Sequence, residues 1–79
     1  MEQLRKSVIE VLLSTGEKVK PHVEENGLVS NGILDSLDIM NLIMELEATF
    51  DIEIEPEDVL SENFESADKI AELVKKCQG

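Results

Sequence analysis

Ser36-Leu37-Asp38-Ile39-Met40-Asn41-Leu42-Ile43-Met44-Glu45-Leu46-Glu47-Ala48-Thr49-Phe50 decides the fold class of this 79-residue chain. Ile39, Leu42, Ile43, Leu46 and Phe50 recur at i, i+3, i+4, i+7 and i+11, which is one face of an α-helix and not the alternation of a strand. Asp38, Glu45 and Glu47 supply the polar side. Leu37, Met40 and Met44 form a second apolar line at i, i+3 and i+7, which widens the stripe beyond the needs of a simple surface helix. Two readings fit that line: extra core packing, or a stripe on which a partner docks, a use to which the pliable Met side chain is suited. Asp35 and Ser36 both have the chemistry of a helix N-cap.

Upstream, Leu4, Val8, Val11 and Leu12 repeat at helical spacing, predicting a helix over 2–14 with Gly16 as its stop. Residues 16–35 hold Gly16, Pro21, Asn26, Gly27, Ser30, Asn31 and Gly32 and read as a long connection. Loops of that length in a small domain are commonly functional. Its apolar members Val19, Val23, Leu28, Val29, Ile33 and Leu34 predict that it packs onto the core.

Downstream, Ile52 and Ile54 alternate with acids and read as an extended linker with two buried anchors, since no second strand is available to pair. Pro56 suits the first turn of a short helix, with Glu57 and Asp58 at its positive end and Val59 and Leu60 facing inward. Asn63 is expected to break that helix and Phe64 to anchor the connection. Ser66 can cap a last helix over 67–77, with Ile70, Leu73, Val74 and Cys77 on its buried face and Lys75 and Lys76 at its negative end. The expectation is therefore an all-α, single-domain chain over 1–79: a four-helix bundle with a long first loop and a short third helix.

Charge narrows the function. The formal net charge is −11, and residues 21–68 contain fourteen acids without one Lys or Arg. Such a surface repels nucleic acid and anionic membrane and attracts basic protein surfaces in a salt-dependent way. A simple solubilising surface is the plain alternative. One cysteine, Cys77, cannot form an internal disulfide, and neither a secretory signal nor a membrane span is expected, so the chain reads as cytoplasmic. With no surplus apolar patch beyond the Leu37–Met44 stripe, it reads as a monomer.

Catalysis finds no equipment. His22 is the one histidine, and the acidic middle has no cation to activate a nucleophile or hold a phosphate. Asp51, Glu53, Glu55, Glu57 and Glu62 fall at positions 1, 3, 5, 7 and 12 of a possible calcium loop. The sixth position of such a loop needs a glycine, and here it is Pro56, whose ring forbids the required turn. The remaining feature is Asp35-Ser36-Leu37. A serine at a helix start offers its hydroxyl outward, and a phosphodiester there would meet free backbone N–H groups and the positive end of the helix dipole.

Gly32-Ile33-Leu34-Asp35-Ser36-Leu37-Asp38, then Leu42-Ile43-Met44-Glu45-Leu46-Glu47, Phe50-Asp51-Ile52-Glu53-Ile54 and Pro56-Glu57-Asp58 resemble the modification site and second helix of acyl carrier proteins. The similarity extends from about residue 4 to residue 75 and is strongest over 32–60. The resemblance implies a separate phosphopantetheinyl transferase that moves 4′-phosphopantetheine from coenzyme A onto Ser36, and a thiol at the end of that arm that holds acyl groups as thioesters. It implies that Asp35 helps dock the transferase, and that Leu37, Asp38, Met40, Met44, Glu45 and Glu47 meet partner enzymes: acyl-transferring enzymes, ligases or synthases with basic docking surfaces. In free-standing members the bundle interior can also shelter an aliphatic chain. Two departures bear on cargo. Housekeeping fatty-acid carriers usually have Gly-Ala before the motif, where this chain has Ile33-Leu34, and acids where it has Asn41 and Ala48. The form here looks closer to carriers of specialised pathways, including polyketide-type carriers and the aminoacyl or D-alanyl carriers that serve adenylating ligases. An unmodified acidic interaction module is the reading of another class.

Overall fold

The computed structural model describes residues 2–78. Helix α1 spans Glu2–Thr15, α2 spans Ser36–Phe50 and α3 spans Ala67–Gln78, with 3-10 turns at Glu17–His22, Pro56–Asp58 and Ser61–Phe64. The architecture is all-α. The short third helix of the expected bundle takes the form of two 3-10 turns between α2 and α3. No helix among the described residues is long and apolar enough to cross a membrane.

Helix α1 packs against both α2 and α3. Its Val8, Val11 and Leu12 meet Leu42 and Leu46 of α2 and Ile70, Ala71, Leu73 and Val74 of α3 in one buried aliphatic cluster, with Phe64 at its centre of mass as the largest fully buried side chain. Only Leu42 and Leu46 of the expected α2 face are fully buried; Ile39, Ile43 and Phe50 are half-buried at its rim. A three-helix packing this small covers a narrow stripe of each helix and leaves the flanks partly wet.

The first loop packs as its apolar content predicts, burying Val19, Leu28 and Leu34. It also contains a 3-10 turn at Glu17–His22 that the Gly- and Pro-containing sequence did not announce. Glu65 holds the loop's far end. Its carboxylate accepts the backbone N–H groups of Val29 and Ser30, each at 3.0 Å, and the Ser30 hydroxyl, while its carbonyl accepts Leu28 N–H at 2.8 Å. Those bonds hold the Glu65 carboxyl below the usual carboxylate range, the Ser30 hydroxyl contributing most. Gly27 has φ +79°, and a Cβ there would stand 2.7 Å from Asn31 Nδ2, so the loop needs a glycine at that point.

Helix α2 ends at Asp51, which is left-handed at φ 53° and donates its N–H to Glu47 O. Ile52 is half-buried and Ile54 buried, as the extended-linker reading expects. Ser66 caps α3, its hydroxyl accepting Lys69 N–H at 3.1 Å. Three expectations need correction. Val59 and Leu60 face outward, at 40% and 48% exposure. The Pro56–Asp58 turn is three residues long and has no 3.6-residue face to direct them inward; Ile54 and Phe64 take the buried positions instead. Asn63 does not break a helix but lies inside the Ser61–Phe64 turn, and its side-chain amide donates to Asp58 O at 2.7 Å, joining the two turns. Cys77 is half-buried near the end of α3 rather than part of its sealed face.

Candidate functional site

The start of α2 is built by a reciprocal cap. Asp35 is extended (φ −99°, ψ −176°), and its carboxylate accepts Asp38 N–H at 2.9 Å. Asp38 returns the favour, its carboxylate accepting Asp35 N–H at 3.1 Å. The two bonds form a capping box, which fixes where the helix begins and so where the next residue points. Asp35 is thus the cap, and Ser36 is the first helical residue, exposed to solvent. The first helical N–H groups have no acceptor within the helix, so the Ser36 hydroxyl stands at a concentration of partial positive charge.

One cation reaches this end of α2. Lys18, from the turn after α1, pairs with Asp38. That ammonium, together with the Asp35 backbone N–H, holds the Asp38 carboxyl below its ordinary value. The Lys18 ammonium is correspondingly raised by Asp38. Asp38 is therefore a half-buried structural carboxylate, with 16% of its side chain exposed. Glu47 is also engaged: its carboxylate accepts Ile54 N–H at 3.0 Å, tying the linker back to α2.

Leu37, Met40 and Met44 are all exposed, as is Glu45. Beside Ser36 runs an open cleft of about 230 Å³, walled by Ile39 and Met40 on one side and by Val59 and Leu60 on the other, with Phe64 also lining it. Val59 and Leu60 were missed as site residues because an apolar pair after a Pro-Glu-Asp turn reads the same whether it faces in or out. A larger cleft of about 340 Å³ lies against α3 between Asn63, Lys69, Glu72 and Lys76, away from Ser36. Size does not decide between the two clefts; the hydroxyl at the helix start does.

A helical domain that holds one serine hydroxyl outward at a helix start, next to a shallow apolar cleft, is an attachment platform rather than a catalyst. The chain belongs to the phosphopantetheine attachment site family, which it matches over residues 2–75. It is 28% identical to a D-alanyl carrier protein of Lactobacillus delbrueckii subsp. bulgaricus over 76 residues, covering 95% of this chain and 94% of that protein. It is 43% identical to a D-alanyl carrier protein of Lactococcus lactis subsp. cremoris over 49 residues, 62% of each chain. No solved structure gave a significant match. As a carrier domain it bears covalently attached 4′-phosphopantetheine and supplies no catalysis of its own. The residues fit that group: the start of α2 suits a phosphodiester, and the cleft offers apolar surface along which an arm can lie.

Proposed function

We propose that Ser36 is the attachment point of the arm and that the cargo is a small acyl group, an aminoacyl group such as D-alanyl above all, loaded by an adenylating ligase. The observation that carries the site is the exposed Ser36 at the capped start of α2. The transferase esterifies the serine oxygen with the phosphate of coenzyme A's phosphopantetheine. The arm's thiol then holds the acyl group as a thioester. For its part the chain fixes the helix start through Asp35 and Asp38, offers the hydroxyl to solvent, and favours the phosphodiester's negative charge through the first-turn N–H groups. Asp35, exposed beside Ser36, is the acid available to the transferase.

Two observations favour a short cargo over the fatty-acyl or polyketide chain that the sequence also allows. The cleft beside Ser36 is open and about 230 Å³ in volume. That is below the roughly 300–1,000 Å³ of pockets that enclose a small molecule. The full-length relative named above is also called a D-alanyl carrier. On this reading residues 1–79 work as one carrier domain in the cytoplasm, where the transferase and ligase draw on coenzyme A and ATP.

Intact mass spectrometry tests both parts. Incubation with coenzyme A and a broad-specificity transferase should add about 340 Da to the wild type and nothing to Ser36→Ala. The modified protein should then gain an alanyl group from a D-alanine-activating ligase with ATP, but no palmitoyl group from an acyl-activating ligase. An unmodified wild type overturns the carrier site; palmitoyl loading without aminoacyl loading overturns the cargo.

A further inference from the structure

In a chain whose formal net charge is −11, the outward side of α2 carries almost no charge. Leu37, Met40 and Met44 are 66%, 62% and 66% exposed and share one side of the helix. Asn41 and Ala48, both exposed, extend this uncharged band. Of the three acids on α2, Asp38 is taken up by the cap and by Lys18, and Glu47 by the Ile54 N–H, leaving Glu45 as the one that is exposed. Across the cleft Val59 and Leu60 add a second apolar wall at 40% and 48% exposure. Exposed acids such as Asp51, Glu53, Glu55 and Glu57 lie beyond the C-terminal end of α2, away from the Ser36 end.

Ser36 lines the cleft between these two walls, so an enzyme that forms a bond to its oxygen must cover them. A second copy of the chain is a poor occupant, because two chains of −11 repel, and an anionic membrane is repelled likewise. We propose that the transferase acting on Ser36 seats Leu37, Met40 and Met44 of α2 together with Val59 and Leu60 on an apolar surface, and recognises this carrier by burial of those side chains rather than by its acidic charge. The proposal rests on Ser36 being the attachment point. It reverses the salt-dependent docking that net charge alone would imply. Apolar burial is nearly insensitive to salt, whereas attraction between exposed charges is screened over about 10 Å at 0.1 M.

Adding acids separates the two modes by sign. A charge-steered transferase should modify Asn41→Glu/Ala48→Glu with a lower KM. An apolar seat has to desolvate the new carboxylates, so KM should rise about tenfold. The measurement is the initial rate of modification by a broad-specificity transferase with coenzyme A, followed by intact mass. The wild-type KM should change less than about twofold between about 25 and 500 mM salt. Val59→Ser/Leu60→Ser should raise it about tenfold, and Glu53→Gln should leave it unchanged. All the substituted side chains are exposed in the wild type, so the variants should fold, and matching helical circular dichroism checks that they do. A KM that falls in the double Glu variant, or that climbs tenfold with salt while ignoring Val59→Ser/Leu60→Ser, overturns the apolar seat and leaves the carrier site standing. No modification of the wild type at any salt overturns both.

Discussion

Asp38 distinguishes a structural acid from a docking acid, and two substitutions separate the roles. Its carboxylate accepts Asp35 N–H at 3.1 Å and pairs with Lys18, and only 16% of its side chain is exposed. Asp38→Ala removes both interactions and leaves the Asp35 N–H without its partner at the helix start. Losing a cap of this kind costs about 1 kcal/mol, within a range of about 0.5–2. For a domain of 60–100 residues, that corresponds to a fall in melting temperature of about 4–8 °C. Asp38→Asn keeps a carbonyl oxygen able to accept the Asp35 N–H and loses only the pairing with Lys18, which solvent and salt screen. It should melt within about 2 °C of the wild type, and the gap should narrow in high salt. Thermal melts followed by circular dichroism give the stabilities, and the transferase assay gives KM for the same proteins. The reasoning predicts that stability falls in the order wild type, Asn, Ala, while KM measured well below each melting point stays within about twofold. If Asp38→Ala melts with the wild type while both substitutions raise KM tenfold at low salt, Asp38 is a docking charge and the account of the α2 start is wrong.

Acid should loosen the first loop before it melts the core. The folded-state values of Glu65 and Asp38 are both lowered, so the stability they lend is present above the unfolded carboxylate range and is lost as pH falls through the lowered values. Hydrogen exchange at Val29 and Ser30 should therefore lose protection below about pH 4, and Glu65→Gln should remove that step. Leu46 is fully buried between the helices, so Leu46→Ala should cost about 2–5 kcal/mol and leave the domain largely unfolded at 37 °C by circular dichroism. Asp51 holds a left-handed φ of 53° at the end of α2. Asp51→Gly should raise stability by about 0.5 kcal/mol in chemical denaturation, since glycine adopts that conformation without a Cβ penalty.

What the sequence made legible, and what it hid, follow from the range of the interactions involved. The register of α2, its start at Asp35-Ser36 and the Ser66 cap of α3 are set by residues within four positions of one another, and each reads directly from periodicity and cap chemistry. The loop's attachment through Glu65 to Ser30, and Lys18 to Asp38, join residues 35 and 20 positions apart, and in a chain with eighteen acids nothing local marks which of them will be used. Val59 and Leu60 were misplaced for a third reason. A helix face can be inferred from a period, but a three-residue 3-10 turn is too short to have one, and which way the next two side chains face is decided by what already fills the core. The consequence reaches function. The hydroxyl that defines the class of protein is encoded locally. The character of the surface around it depends on which acids the fold consumes and which apolar residues it leaves outside. Two carriers can therefore share the motif around Ser36 and the same net charge and still present their partners with opposite surfaces, one charged and one apolar. Net charge read from sequence sets how such a chain repels its own copies, while the contacts of Asp38, Glu47, Val59 and Leu60 set what an enzyme meets on arrival.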